Sequence, residues 1–100
     1  MATVSKALAR TAAATSNTTL YTVPASTTAV ITNIVIANTA SSGATFDLSL
    51  DDIQIANDVS IAANSITVID LKQVLATTKT IKGLASATSV NFHISGVEIA

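Results

Sequence analysis

The sequence has 100 residues, of which 49% are apolar and 11% charged; its net charge is −1, its aromatic residues are Tyr21, Phe46 and Phe92, and it has no cysteine. These totals fit one small domain. They exclude disulfide staples and a cysteine-built zinc site, give no basic footprint or row of stacking rings for nucleic acid, and contain nothing near the roughly 18 unbroken apolar residues of a membrane-spanning helix.

Residues 1–17 are expected to be an N-terminal arm outside a folded domain of residues 18–100. Within it, Ala7 to Ala14 has the propensity for two helical turns, a length that is marginal alone. The arm is therefore expected to be flexible or extended and to order on assembly. It lacks the apolar block of a secretory signal. Ser16-Asn17-Thr18 is turn chemistry. Residues 19–23 form a strand that Pro24, having no N–H, brings to a stop. Residues 28–37 form the strand the others pack against, and it holds the longest β-branched run, Val30 to Ile36. Strict alternation places Val30, Thr32, Ile34 and Ile36 on one face and Ile31, Asn33, Val35 and Ala37 on the other. A strand apolar on both faces either has something over its back or lies at a subunit contact.

Residues 44–50 alternate, with Phe46, Leu48 and Leu50 inward and Asp47, Ser49 and Asp51 toward water. Asp51-Asp52 turns the chain into a short return strand at 53–56. Asn57-Asp58 breaks it, and another short strand follows at 59–62. After Ala63-Asn64, residues 65–71 form a strand with Ile66 and Val68 on one face and Ile69 and Leu71 on the other. Residues 72–78 read either as one helical turn or as a wide loop. Residues 80–84 form a strand in which Gly83 allows a close neighbour. The final strand, 89–95, points Val90, Phe92 and Ile94 inward and Asn91, His93 and Ser95 outward. Gly96 reads as a bulge that shifts the alternation, so that Val97 and Ile99 point inward and Glu98 outward. Short strands at this spacing, separated by turns, predict an all-β, antiparallel β-sandwich, jelly-roll or Ig-like, of about seven or eight strands, with Phe46 and Phe92 meeting in its core.

No residue pattern carries catalysis. Asp47, Asp51, Asp52 and Asp58 cluster around one hairpin, but their spacing departs from a calcium loop and no glycine folds them inward, so they read as solvated turn carboxylates. Two acids held across a cleft, as glycoside hydrolysis needs, are not evident. His93 reads as a surface or interface residue. Lys72, Lys79 and Lys82 either meet an acidic partner or keep a sheet edge soluble, and both readings stay open. Gly43, Gly83 and Gly96 lie too far apart for a phosphate loop. The expectation is a non-enzyme with no catalytic, cofactor-binding or metal-ligating residues, no cofactor, and no nucleic-acid or membrane partner. The Thr- and Ala-rich surface, short of charge, predicts instead a surface covered by neighbouring proteins.

The words Leu20-Tyr21-Thr22-Val23-Pro24-Ala25, then Thr28 to Thr39, then Ala44-Thr45-Phe46, and the closing Ser89-Val90-Asn91-Phe92-His93-Ile94-Ser95-Gly96-Val97-Glu98 resemble a pattern in small structural proteins of tailed bacteriophages. The resemblance covers about residues 18–100 and not the arm. It implies a β-sandwich that binds other virion proteins, often in symmetric copies. The leading expectation is a capsid decoration (cement) protein. Such a protein is assembled in the host bacterial cytoplasm and bridges capsomers of the major capsid protein as a homo-oligomer, with a trimer favoured. A minor tail or head–tail joining protein is the alternative. A carbohydrate-binding host-recognition module, with Tyr21 as its stacking ring, is the second alternative.

Overall fold

Threonine, valine and isoleucine branch at Cβ, which crowds a helix and suits a pleated surface; the segments rich in them are extended. A computed structural model describes residues 2–100. It contains eight strands: β1 (Thr3–Ala12), β2 (Thr18–Thr22), β3 (Thr28–Asn38), β4 (Ala44–Leu50), β5 (Ile53–Ile61), β6 (Ser65–Leu75), β7 (Thr80–Ala85) and β8 (Val90–Ile99). They form two antiparallel four-stranded sheets, ordered β1-β8-β3-β6 and β2-β7-β4-β5. Except at the β4–β5 hairpin, each connection crosses from one sheet to the other. This is the winding of an eight-stranded jelly roll, which decides between the two sandwich types expected.

The core lies between the sheets. Ile31, Ile34 and Ile36 of β3 and Val90, Phe92 and Ile94 of β8 are fully buried, facing Phe46, Leu48, Ile61 and Ile81 of the other sheet. Phe46 and Phe92 meet edge to face, as expected, with ring centroids 6.4 Å apart and an interplanar angle of 77°; that geometry suits the aromatic quadrupole. The Asp51-Asp52 turn is also as expected. Both residues have positive φ, 54° and 61°, the two-residue hairpin geometry that aspartate tolerates.

Five local expectations are corrected. The segment read as an arm is strand β1, paired along its length with β8; Ala2 and Ala100 exchange backbone hydrogen bonds of 2.9 and 2.8 Å at its outer end. Its side chains are mostly exposed, so its own pattern carries little strand signal, and pairing with β8 fixes it. Residues 53–61 are one strand rather than two. Asn57-Asp58 makes a bulge, with Asp58 at φ 50° and its N–H donating to Asp47 Oδ1 at 2.7 Å. The helical-turn-or-loop segment begins as strand, since β6 runs on to Leu75.

The remaining two corrections share a cause. Between Ile31 and Asn33, β3 carries an extra residue, Thr32, relative to β8. Ala29 and Ile31 therefore point inward before it, Ile34 and Ile36 after it, and Val30 lies on the outer face. On the other side of β8, Leu8 is the extra residue of β1. The bulges thus belong to the neighbours of Gly96, and β8 keeps its alternation through it. Glu98 faces inward and Val97 outward, the reverse of the expectation. Gly96 is needed there because a Cβ would collide with the Val30 carbonyl oxygen and lie 2.9 Å from Leu8 Cδ1.

Candidate interaction surface

At one end of the sandwich, the inward turn of Glu98 builds a polar cluster. Tyr21 of β2 donates its hydroxyl hydrogen to Glu98 Oε2, and Lys6 of β1 donates to Glu98 Oε1 at 3.3 Å. The Tyr21 hydroxyl holds the Glu98 carboxyl below its ordinary value, with help from Lys6. Burial, with the Glu98 charge beside it, pushes the Tyr21 phenol up. The cluster ties β1 and β8 to the opposite sheet and keeps a carboxylate ionised. The sequence hid it because the face of Glu98 depends on bulges in neighbouring strands.

At the other end, Asn38 is buried with its hydrogen-bonding capacity used. Its Nδ2 donates to the carbonyls of Ser42 at 2.9 Å and Ala62 at 3.3 Å, while Oδ1 accepts from Ala40 N–H and Ser89 Oγ, both at 3.1 Å. Three loops meet on one amide, which the sequence shows only as the first polar residue after a strand.

The acids of the β4–β5 hairpin are brought to one side of the molecule but are not aimed at a common point. Asp47 accepts from Gln54 Nε2 and from the Asp58 N–H; Asp51 pairs with Lys79 at 3.5 Å and Asp52 with Lys82 at 2.9 Å. Lys72 lies 3.8 Å from Asp70. All three lysines therefore have an acid of their own chain close by, in exposed pairs worth little to stability. His93 is exposed on the outer face, between Arg10 of β1 and Val35 of β3.

The outer face of the β1-β8-β3-β6 sheet is apolar over much of its area. Val97, Val30 and Val74 lie side by side across three strands; Val35 stands beside Val68, and Ala37 beside Ile66. Ile66, Val68 and Val74 are 66%, 56% and 67% exposed. Ile53, Ile55 and Val59 of β5 are exposed on the adjoining edge. Among the described residues, six of the seven large exposed apolar ones thus sit on β5 and β6, which flank the same side of the sandwich. A shallow groove between them is lined by Ile53, Ile55, Gln73 and Val74. Scattered apolar residues need no explanation; a contiguous set is a feature of contact surfaces.

No family model and no curated protein matches this sequence. Among solved structures, it is similar to a chain of the T13 viral particle of infectious bursal disease virus, at 8% identity and a TM-score of 0.57, covering 97% of this chain and 30% of that one. It is likewise similar to the structure of the Gx strain of that virus, at 15% identity and a TM-score of 0.55, covering 97% and 31%. A pentameric capsid protein isolated from metagenomic phage sequences aligns at 16% identity, over 96% of this chain and 59% of that one, with a TM-score of 0.38. The chain spans about a third of the length of the two bursal disease virus chains. At these identities the first two establish a common fold.

Proposed function

We propose that this jelly roll is a non-enzymatic virion structural protein that works by docking on neighbouring proteins of the particle, in the role of a capsid decoration protein. The observation that carries the reading is the bare apolar outer face of the β1-β8-β3-β6 sheet, continued onto β5. It is a largely apolar surface, interrupted by Asp70 and Lys72 of β6 and by Arg10 of β1, on a chain that has already filled its core. Two further facts support it: the same fold in chains of infectious bursal disease virus particles, and the resemblance of residues 18–100 to small phage structural proteins. The partner is the major capsid protein or another virion protein, bound by a small homo-oligomer, with the three-fold arrangement favoured by the resemblance. Many copies bridging neighbouring capsomers multiply a modest contact by avidity.

The test is to add purified protein to undecorated heads and follow genome release on heating. Saturable binding and a raised release temperature are expected; no binding and no shift reject the role. A minor tail or head–tail joining protein would share the surface and differ in copy number, since a joint follows ring symmetry and a lattice decoration does not. The carbohydrate-binding reading loses its stacking ring. Tyr21 is buried, with its hydroxyl engaged by Glu98.

A further inference from the structure

We infer that β6 pairs antiparallel with β6 of a second copy of this chain, about a two-fold axis at Leu71, joining two four-stranded sheets into one of eight strands. This goes beyond the virion role, because the contact is made by the protein alone, and it puts a two-fold pair in place of the three-fold arrangement that the resemblance favours.

The sandwich has four edge strands, β1, β2, β5 and β6. Three are poor templates for pairing. β2 has five residues and runs toward Pro24. β1 is bulged at Leu8 and carries Lys6 and Arg10. β5 is bulged at mid-strand, where Asp58 has positive φ. Bulges, short length and lysines are the devices by which edges avoid pairing. β6 has 11 residues, none with positive φ, and its outer face is read in strict alternation as Ile66, Val68, Asp70, Lys72 and Val74. β6 has a bulge and a lysine of its own, with Leu71 and Lys72 set against the single residue Thr32 of β3. It differs from β5 in having no positive φ there, and from β1 in that its alternation runs unbroken through the bulge.

The charge pattern of that face names the occupant. Run the strand against itself about Leu71, and Val68 stands opposite Val74 and Asp70 opposite Lys72; symmetry makes each contact twice. Directly opposed unlike charges and β-branched pairs are the favourable cross-strand contacts. Moving the axis to Asp70 or to Lys72 sets like charges face to face. Moving it by half a residue puts outward side chains opposite inward ones. Asp70 and Lys72 therefore select one register as well as attracting. Their side chains are 82% and 79% exposed in the single chain, so both are available to a partner. In the pair, the apolar strip of Val30, Val35, Val68 and Val74 continues across the axis.

The experiment is sedimentation velocity on the purified chain across a wide concentration range, with Asp70→Lys and Lys72→Asp studied separately and mixed. The native chain is expected to run as a dimer. Each variant alone opposes like charges at both sites, and its dissociation constant is expected to rise about tenfold or more. In an equimolar mixture every opposed pair is again Lys against Asp, so dimers return as mixed pairs. Thermal melts of each variant check that the fold is intact. A native chain that stays monomeric, a trimer, variants that dimerise like the native chain, or a mixture that stays monomeric each overturn the inference. Head binding is measured separately: dimers that ignore heads leave this contact standing and remove the virion role, and monomers that bind heads do the reverse.

Discussion

Strands β8 and β6 flank β3 in the same sheet, are of nearly equal length and are built from the same branched residues, yet they spend them differently. β8 lies between two strands and turns Val90, Phe92 and Ile94 wholly into the core. β6 has a neighbour on one side and leaves Ile66, Val68 and Val74 more than half exposed. Hydrophobic stabilisation follows the area removed from water, so similar side chains do unequal work. Those of β8 hold the fold, while those of β6 stay largely in water and add little to it. Position in the sheet decides this, and composition does not.

That contrast has measurable consequences. The largest is expected at Phe92. Phe92→Ala removes a ring packed against Phe46 and should lower unfolding free energy by about 3–5 kcal/mol in urea titration; a loss below about 1 kcal/mol would place the core elsewhere. Gly96→Ala comes next, at about 2 kcal/mol, because the added methyl meets backbone rather than a yielding side chain. Glu98 gives a pH signature. Its folded pKa is lowered, so its contribution is present above the ordinary value of 4.5 and is lost as pH falls through the folded pKa. Melting temperatures of the native chain and Glu98→Gln should therefore differ near neutrality and converge in acid. A gap independent of pH would show that the carboxylate is not held ionised by Tyr21 and Lys6. The smallest effect belongs to β6: Ile66→Thr should change stability by no more than about 0.5 kcal/mol. A core-sized cost there would erase the contrast between the two strands.

Sequence legibility followed the same division. Where one strand sees a single wet face and a single dry one, period-two alternation is enough. The reading of β4 is right to the residue, Asp51-Asp52 is the turn expected, and Phe46 and Phe92 meet. The failures lie where a neighbour sets the geometry. β1 has almost no buried side chain, and its partner is some ninety residues away along the chain (Thr3 opposite Ile99), so no local pattern announces it. Thr32 breaks the alternation of β3 because β8 is one residue short beside it. The same mismatch reverses the face of Glu98 and hides its cluster with Tyr21 and Lys6. For the candidate surface, the apolar pairs of β6 are visible in the sequence, but which of its two faces is dry depends on how its sheet packs on the other: Ile69 and Leu71 meet the core, and Ile66 and Val68 do not.

The hydrogen bonds between Ala2 and Ala100 have a mechanical corollary. Force applied through both ends of this chain enters at one end of the β1–β8 ladder and loads its bonds one after another, as on a zipper, instead of sharing the load among them. Stretched in that direction, the molecule should yield at low force and shed β1 first. A single-molecule trace with one high rupture peak would contradict this. Ala2 and Ala100 stand about 5 Å apart, one strand spacing, so the backbone enters and leaves the sandwich at the same corner.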